Sequence, residues 1–428
     1  MKPFFILLLY RAILPILFII AFPGWVIKML RRGGFGTGLT ERIGIYTSAP
    51  EFEPCGAIHF HSISVGETMI ALKLLREWRK QFPETRFVIA TGTSTGHDVA
   101  TRAELKNVRV TYSPLDFPWM IRRYLKRFEP AQIILIEGEI WPNFLRLTKA
   151  SQIPVSLANT RVSPRSARRF KKFAKILRPF FSKLSSVCIQ EEENRSLWKD
   201  LGIKSEKIHL TGSIKFDPQS TSAPSLRKDF AMMLDSFGQN RTVVLAASTF
   251  PGEETFLADA IHSADSDLLP VIVPRHAERR KEVKHALEQR DFEVILRSEF
   301  KQPSKHPQVF VIDSTGELAT WTSHADIVLI GKSFLSTGGQ NPAEAILAEK
   351  PLILGPYMEN FQALVSQLYA ANGAIRAETK EEVSQAIIKA MQSSNRRELT
   401  ENASRILAKH EGATRRHLQA LRIHSKPA

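Results

Sequence analysis

The sequence predicts an α/β protein with two Rossmann-like units behind an N-terminal membrane segment. Three observations support this fold class. Apolar, β-branched runs alternate with amphipathic helical stretches, which is typical of parallel sheets with crossover helices. The chain has 428 residues, enough for two domains with full cores. A long apolar run, residues 4–26, precedes these elements.

The N-terminal run has the composition of a membrane anchor, predicted over residues 1–30. It is interrupted only by Tyr10, Arg11 and two prolines. The basic residues that follow it are Lys28, Arg31, Arg32 and Arg42. Basic residues after the run and no small-residue cleavage site argue against a cleaved signal peptide, and the positive-inside rule leaves the bulk of the chain in the cytoplasm. Arg11 and Pro15 disfavour the bilayer centre, so a spanning helix and an interfacial helix are both open.

The charge of the chain predicts an anionic partner. The formal net charge is +16 and the pI is near 9.8, which suits nucleic acid, an anionic membrane or a phosphorylated substrate. The sequence lacks strands with interleaved aromatic and basic residues, so nucleic acid is disfavoured. Cys55 and Cys188 are far apart without metal-ligand spacing, which argues against a disulfide framework, a zinc site or a thiol nucleophile.

The first unit is predicted to span residues 31–216. Its elements in order are a strand at 56–61, a helix at 67–81, strands at 86–91, 133–137 and 155–158, a basic helical region at 161–178, and apolar runs at 187–190 and 209–212. The polar, Pro/Ser-rich stretch 217–226 is predicted to be the interdomain linker.

The second unit is predicted to span residues 227–428, including a basic helical tail from Arg396. Its strands are predicted at 242–247, 269–273, 294–296, 309–312, 327–330 and 351–354. Open parallel sheets bind ligands beyond the carboxyl ends of their strands. Polar residues that directly follow these runs are therefore the candidates for chemistry.

Two acidic clusters follow strands of the first unit. Glu67 ends the segment HFHSISVGE, where a carboxylate can take a proton from an alcohol or merely complement a helix N-terminus. Glu137 and Glu139 belong to EGEIWPN. They can bind a metal or a basic partner, orient a hydroxyl, or cap the helix that Pro142 begins. Two acids alone are a weak metal signal.

Three further segments offer groups for an anionic ligand. The paired Gly338 and Gly339 run into a helix at Pro342, where backbone N–H groups favour phosphate; a structural glycine turn is the alternative. Arg275 follows a strand, and its guanidinium can hold a phosphate through two hydrogen bonds. Lys215 lies near the domain junction, either to neutralise a leaving phosphate or as a surface lysine.

These segments together resemble the 3-deoxy-D-manno-oct-2-ulosonic acid (Kdo) transferase family, from the anchor to about residue 375. The blocks that carry the resemblance are RRGGFGTGLTERIG, HSISVGE, EGEIWPN, NTRVSPRSARRF, TGSIKFD, VPRHAER, STGEL, GGQNPAEA and GPYMENF. The resemblance implies the GT-B fold, with an acceptor domain and a donor domain facing a central cleft. It also implies CMP-Kdo as donor, lipid A precursor (lipid IVA) as acceptor, and inverting transfer without metal or cofactor at the cytoplasmic side of the bacterial inner membrane.

The resemblance also assigns roles to residues. Glu67 matches the general base of the family, and Glu137 and Lys215 match positions that stabilise the transition state. The positions that match CMP-binding residues are Pro274, Arg275, Gly316, Glu317, Asn341, Pro342, Ala343 and Glu344. The chain departs from the family at Gln340 and Tyr357, where relatives commonly carry histidine.

Overall fold

The computed structural model describes residues 3–31, 38–46, 55–138, 140–162, 164–217, 226–301, 303 and 308–422. The chain divides into two compact units, residues 1–217 with 412–428, and residues 218–411. The predicted linker falls largely on 218–225, outside the described residues.

The first unit is built on a parallel sheet in the order β3-β2-β1-β4-β5-β6-β7. Its strands are β1 Ile58–Ser62, β2 Phe87–Thr91, β3 Val108–Tyr112, β4 Gln132–Ile136, β5 Val155–Thr160, β6 Ser186–Ile189 and β7 Ile208–Leu210. Its helices up to this point are α1 Pro3–Arg31, α2 Leu39–Arg42, α3 Val65–Gln81, α4 Ser94–Arg102, α5 Pro118–Phe128, α6 Pro142–Ala150, α7 Pro164–Lys172, α8 Ala174–Phe181 and α9 Arg195–Asp200. The central strands β1, β2 and β4 are buried throughout, because helices cover both faces of a parallel sheet.

The second unit repeats this plan in the order β10-β11-β9-β8-β12-β13-β14. Its strands are β8 Val243–Thr249, β9 Leu269–Pro274, β10 Glu293–Leu296, β11 Gln308–Val311, β12 Ile327–Ile330, β13 Leu352–Leu354 and β14 Ile375–Arg376. Its helices are α10 Lys228–Asp235, α11 Glu253–Ala264, α12 Arg280–Glu288, α13 Leu318–His324, α14 Ala343–Leu347, α15 Gln362–Ala370, α16 Lys380–Met391 and α17 Ser393–Ala408. In each sheet the strand order reverses beside the first strand, at β1/β4 and β8/β12, and ligands of open α/β sheets bind at such points.

The last helix, α18 (Ala413–Arg422), belongs to the first unit. It was predicted to belong to the second unit, as part of 227–428, and this boundary differs from the structure. The reason is burial, since Leu418 and Leu421 lie in the hydrophobic core beneath β1 and α3. The chain therefore returns to its first unit after completing the second.

The structure also refines several predicted elements. The strands β3 and β14 were not predicted. The first three residues of β3 are only half-buried and include Arg109, so its sequence lacks a continuous apolar run, and β14 has only two residues. The basic region 161–178 forms two helices, α7 and α8, with Phe173 between them.

Helix α1 is docked on the first unit by polar contacts in its middle. The Tyr10 hydroxyl donates to Asp116 Oδ2 (2.8 Å), and Arg11 Nε donates to Asn143 Oδ1 (2.7 Å). Leu7 is buried in the core of the unit. These bonds satisfy the Tyr10 hydroxyl and the Nε donor of Arg11, the two polar side chains that interrupt the apolar run. Residues 5–24 are nevertheless long and apolar enough to cross a membrane, with a mean hydropathy of 2.6.

Candidate functional site

The polar cluster of the first unit lies at the carboxyl ends of β1 and β4. These two strands are hydrogen-bonded neighbours. Glu67 is the third residue of the helix that follows β1, and Glu137 directly follows β4. Lys215 follows β7 at the same edge of the parallel sheet. The structure therefore places all three predicted residues at the edge where open sheets bind ligands.

Glu67 forms a capping box with Ser64 at the start of α3. The Ser64 hydroxyl accepts from the Glu67 N–H (3.2 Å) and donates to its Oε1 (3.0 Å), while Oε2 accepts from the Ile63 N–H (2.7 Å). This arrangement stabilises the helix start. The side chain is still half-exposed, so the carboxylate is oriented by the cap without being buried. The two interpretations from the sequence are therefore compatible.

Glu137 is half-buried in a turn with a left-handed backbone, at φ 60°. Its Oε1 accepts a hydrogen bond from Asn159 Nδ2 (3.1 Å). Burial raises the pKa of this carboxyl group, whereas Lys215, Arg161 and the Asn159 bond oppose the rise. Glu139, the alternative acidic residue, lies outside the described residues.

Lys215 lies in the short 3-10 turn Ile214–Phe216 and is exposed at the surface. Desolvation by the surrounding protein lowers the pKa of its ammonium group, Glu137 opposes this, and Arg161 lowers the pKa further. Two cations thus interact with one carboxylate. The excess of positive charge suits an anionic ligand. Arg161 therefore belongs to this cluster, although the sequence predicted it only as part of a basic helical region.

Asn159 and His417 support the cluster and were not predicted to do so. Both are fully buried, and the Asn159 N–H donates to His417 Nε2 (2.9 Å). Burial lowers the pKa of His417 to about 4. Asn159 and His417 are 258 positions apart in the sequence, so local sequence patterns could not predict their contact. The position of Asn159 at a strand end, in the block NTRVSPRSARRF, could be recognised from the sequence.

The depressed pKa of His417 predicts a loss of stability in acid. The pKa of histidine in the unfolded chain is near 6.5, so between about pH 6.5 and pH 4 the unfolded chain binds a proton that the folded chain does not. The contribution of His417 to stability is therefore lost progressively as the pH is lowered through this range. The expected loss at pH 5 is about 2 kcal/mol. Thermal unfolding of the detergent-solubilised chain at pH 7.5 and pH 5 measures it. His417→Gln is expected to remove this part of the pH dependence, and an unchanged pH dependence in that variant would contradict the assignment.

The second unit contains a cavity of about 200 Å³ at the carboxyl ends of β8, β9 and β12, lined in part by residues of β8 and β12. Its lining includes Ser248, Arg275, Leu318, Gln340, Asn341 and Glu344. The structure therefore brings three of the predicted segments, distant in sequence, to one cavity. Ser248 was not singled out from the sequence, and its backbone is left-handed at φ 58°.

Arg275 and Glu344 give the cavity its charge. Arg275 follows Pro274, the last residue of β9, and its N–H donates to the Thr249 carbonyl (3.0 Å). Its side chain is exposed. Burial raises the pKa of Glu344, and the charge of Arg275 opposes this rise. A guanidinium beside a carboxylate offers donors to a phosphate and an acceptor to hydroxyl groups.

Gly316 and Glu317 directly precede α13. Gly316 has a φ of 84°, which favours glycine. The Glu317 carboxylate lies 3.7 Å from Arg227 and 3.6 Å from Arg297. Leu318, the next residue, lines the cavity. Gly316 and Glu317 are not themselves among the residues that line the cavity, and Glu317 is paired with arginines.

Asn341, Pro342 and Ala343 lead into α14, which has only five residues. Asn341 Oδ1 accepts from the Ala343 N–H (3.1 Å), so this N–H is already engaged. The sequence predicted a helix N-terminus open to phosphate at this position. A short helix has a small dipole, and the charge of Arg275 is therefore the stronger attraction for a phosphate.

The paired glycines are required by backbone shape and by space. Gly338 and Gly339 have φ angles of 115° and 68°. A Cβ on Gly339 would lie 2.4 Å from Met358 Sδ. The Gly338 N–H donates to Glu359 Oε2 (2.6 Å), so the blocks GGQNPAEA and GPYMENF pack against each other.

Glu253 is a fully buried carboxylate that sequence analysis did not identify. Its two oxygens accept from the N–H groups of Phe250 (2.9 Å), Lys332 (2.6 Å), Phe334 (3.0 Å) and Leu335 (3.3 Å). These four N–H donors satisfy the hydrogen-bonding capacity of the buried carboxylate oxygens. Glu253 thereby fixes the loop that leads from β12 to the glycine block.

Comparison with known proteins gives the family. The sequence model of the 3-deoxy-D-manno-octulosonic-acid transferase (kdotransferase) family matches residues 37–218. A 3-deoxy-D-manno-octulosonic acid transferase of Haemophilus influenzae is 32% identical over 389 residues, covering 90% of each chain. The chain belongs to the Kdo transferase family. A Bordetella pertussis relative of the same name is 30% identical over 413 residues, covering 93% of this chain and 94% of that one. The Kdo transferase-family chain is therefore a glycosyltransferase, as predicted.

The fold prediction is confirmed as well. The structure of a glycosyltransferase from Rickettsia africae matches 87% of this Kdo transferase-family chain and 99% of its own, with a TM-score of 0.53 and 13% identity. This likeness concerns the fold alone. Together with the two parallel sheets, it confirms the α/β, two-Rossmann GT-B class.

Proposed function

We propose that this protein transfers Kdo from CMP-Kdo to lipid A precursor (lipid IVA) at the cytoplasmic face of the bacterial inner membrane, by an inverting reaction without a metal ion. The proposal goes beyond family membership in naming the acceptor, the stereochemistry and the site residues. The observation that carries it is the convergence of Arg275, Asn341 and Glu344 on one cavity. Those side chains match the charge and hydroxyl groups of a nucleoside monophosphate.

The second unit holds the donor in this proposal. Arg275 binds the phosphate of CMP, because a guanidinium donates two parallel hydrogen bonds to phosphate oxygens. Glu344 accepts from the ribose hydroxyls. Asn341 lines the cavity, and Pro342 and Ala343 position it at the start of α14, while Gly316 allows the backbone before α13 to approach the nucleotide closely.

The first unit supplies the base. Glu67 takes the proton from the primary hydroxyl of the lipid acceptor, whose oxygen then attacks the anomeric carbon of Kdo. The bond from that carbon to the phosphate of CMP breaks, and the electron pair leaves with the phosphate. Attack opposite the leaving group inverts the anomeric configuration.

Lys215 and Glu137 stabilise the charges that develop during transfer. The ammonium group of Lys215 opposes negative charge on the departing phosphate, and Arg161 adds to this field. The Glu137 carboxylate opposes positive charge on the sugar ring. Fixed charges cost no reorganisation during the reaction, which is why they lower its barrier. Metal is not needed for this step, and a chelator tests that point.

Helix α1 is the proposed membrane anchor, lying along the first unit rather than crossing the bilayer alone. Tyr10 and Arg11 are already bonded to that unit. Apolar side chains such as Ile16, Ile19 and Ile20 are more than half-exposed, which suits insertion into the headgroup boundary. Arg122 and Arg146 interact electrostatically with Arg11 of this helix, and Lys183 interacts with Arg146 and Lys149. Each can attract anionic headgroups by about 1 kcal/mol.

Charged substitutions on α1 are expected to release the protein from membranes. Ile16→Glu with Ile20→Glu should weaken binding to anionic vesicles by at least about tenfold, because two exposed apolar contacts with lipid are lost. Vesicle co-sedimentation measures this. Leu226→Glu with Met232→Glu is the matched control, since both residues are exposed apolar side chains of the second unit. Equal release of the two variants from vesicles, or a loss of CMP affinity in the α1 variant and not in the control, would count against the anchor.

The function is tested by transfer from CMP-Kdo to a tetraacyl lipid A precursor in detergent with EDTA, following the lipid mass. The expected result is a Kdo-bearing product in the presence of the chelator. UDP-sugars run in parallel test the alternative, a GT-B enzyme that uses another nucleotide sugar on a membrane lipid. If only a UDP-sugar gives product, the donor is a UDP-sugar and not CMP-Kdo. If EDTA abolishes product formation, the reaction requires a metal ion.

A further inference from the structure

Asn159, near the end of β5, joins two segments of the first unit's site. Its Nδ2 donates to Glu137 Oε1 (3.1 Å), and its Oδ1 accepts from the Ile214 N–H (2.9 Å). Ile214 directly precedes Lys215. A single amide group therefore bridges the carboxylate and the turn that carries the lysine. Both halves of the buried amide are used, which fixes its orientation.

The backbone of Asn159 is shaped to aim this side chain. Its φ is 56°, a left-handed value that asparagine tolerates better than most residues. The pairing of β5 with β6 shifts register between Leu157 and Thr160. Such a bulge redirects a side chain out of the regular strand alternation. The irregularity thus places the amide between Glu137 and Ile214.

His417 of α18 holds that backbone in place. Its Nε2 accepts from the Asn159 N–H (2.9 Å) and lies 3.1 Å from Thr211 Oγ1. Its Nδ1 donates to the Ala413 carbonyl (2.8 Å), which requires a neutral ring protonated at Nδ1. The Asn159 carbonyl accepts from Gln190 Nε2 (2.8 Å). Both backbone groups of Asn159 are therefore bonded to buried side chains.

We propose that Asn159, held by His417, is a positioning residue that sets the Glu137 carboxylate and the Lys215 turn in their working arrangement. The last helix of the chain, which follows all elements of the second unit, thereby completes the site of the first. This inference rests on the proposed function, because that function assigns the roles of Glu137 and Lys215. Asn159 and His417 act through those two residues and need not touch substrate.

Asn159→Asp tests the bridge, because it keeps the shape of the side chain but replaces the NH2 donor with a carboxylate oxygen and adds a negative charge. At pH 8 it places two carboxylates within hydrogen-bond distance, and their repulsion displaces Glu137. Protonation of the pair in mild acid restores a donor. The expected kcat for Kdo transfer is about 10²-fold below native at pH 8, and the ratio to native recovers by about tenfold at pH 6. The KM for CMP-Kdo stays native, because the donor is held by the second unit.

His417 is tested by a conservative pair. His417→Gln keeps an acceptor for the Asn159 N–H, whereas His417→Leu leaves that buried N–H unsatisfied. The glutamine variant is therefore expected to retain most of kcat and the leucine variant to lose it, without a change in KM for CMP-Kdo. Equal kcat in the two folded variants would overturn the role of His417.

Gln132→Glu is the matched control. Gln132 is also buried and donates to the Leu421 carbonyl of α18 (3.0 Å), but it begins β4 at the opposite edge of the sheet. It is expected to keep native kcat per folded molecule. Loss of kcat there, with the same recovery in acid, would show a general loosening of α18 and overturn the inference.

The outcomes separate this inference from the proposed function. Native protein that transfers no Kdo would overturn the function, and this inference with it. Native transfer combined with near-native kcat of Asn159→Asp from pH 6 to pH 8 would overturn the inference alone. A pH-dependent loss in Asn159→Asp, native kcat in Gln132→Glu, and a kcat that His417→Gln retains and His417→Leu loses together support it.

Discussion

Glu67→Ala is expected to lower kcat for Kdo transfer by about 10³-fold, because it removes the proposed general base. CMP binding should be unchanged, since the donor cavity belongs to the second unit. The measurement is lipid product formed from CMP-Kdo with EDTA present. Calorimetric titration of CMP on the same preparation shows whether the donor site is intact.

The difficulty with this variant is that Glu67 is also a helix cap. The chain offers a matched control in α16, where Thr379 and Glu382 form the same capping box. The Glu382 N–H donates to Thr379 Oγ1 (3.2 Å), and its carboxylate accepts from the Glu378 N–H (2.7 Å). Glu382→Ala therefore removes an equivalent cap, worth about 1 kcal/mol, without touching the proposed base.

The comparison of the two variants decides the role of Glu67. If both lose similar stability and only Glu67→Ala loses transfer, the carboxylate acts in the chemistry. Similar kcat in the two variants would mean that Glu67 serves α3 alone. Another group would then have to accept the proton from the acceptor.

The sequence predicted the parts of this molecule that depend on local pattern. Glu67 was expected at the start of a helix, and buried runs such as Ile327–Ile330 were predicted as strands from their apolar sequence. The placement of Glu67 and Arg275 followed from the rule that ligands bind beyond the carboxyl ends of parallel strands. These inferences need only neighbouring residues.

Contacts between distant segments were beyond local pattern. Glu253 holds a loop about 80 positions away, and nothing in its own surroundings distinguishes it from an ordinary first-turn carboxylate. The unit to which α18 belongs was mispredicted for the same reason. Its apolar face indicates that the helix is buried, but not against which unit. Asn159 was visible only as one residue of a conspicuous block, and its bridge depends on a backbone irregularity with no clear sequence signal.

Arg275→Ala is expected to raise the dissociation constant of CMP by about 10²-fold, the loss of a charge-assisted pair of hydrogen bonds worth about 1.5–3 kcal/mol. A second effect adds to the first. Arg275 opposes the rise in pKa that burial imposes on Glu344, so its removal leaves a larger fraction of that carboxyl protonated and unable to accept from ribose hydroxyls. The loss should therefore be larger at pH 6 than at pH 8.

Calorimetric titration of the full chain in detergent at both pH values measures the two effects. Arg275→Lys keeps the charge without the planar fork, and is expected to preserve the pH dependence of native protein while binding CMP more weakly. His276→Ala is the neighbouring control, since His276 is exposed and directly follows Arg275. An equal loss in the two alanine variants would assign the effect to the end of β9 as a whole, whereas a loss confined to Arg275 identifies its guanidinium as the group that binds the phosphate.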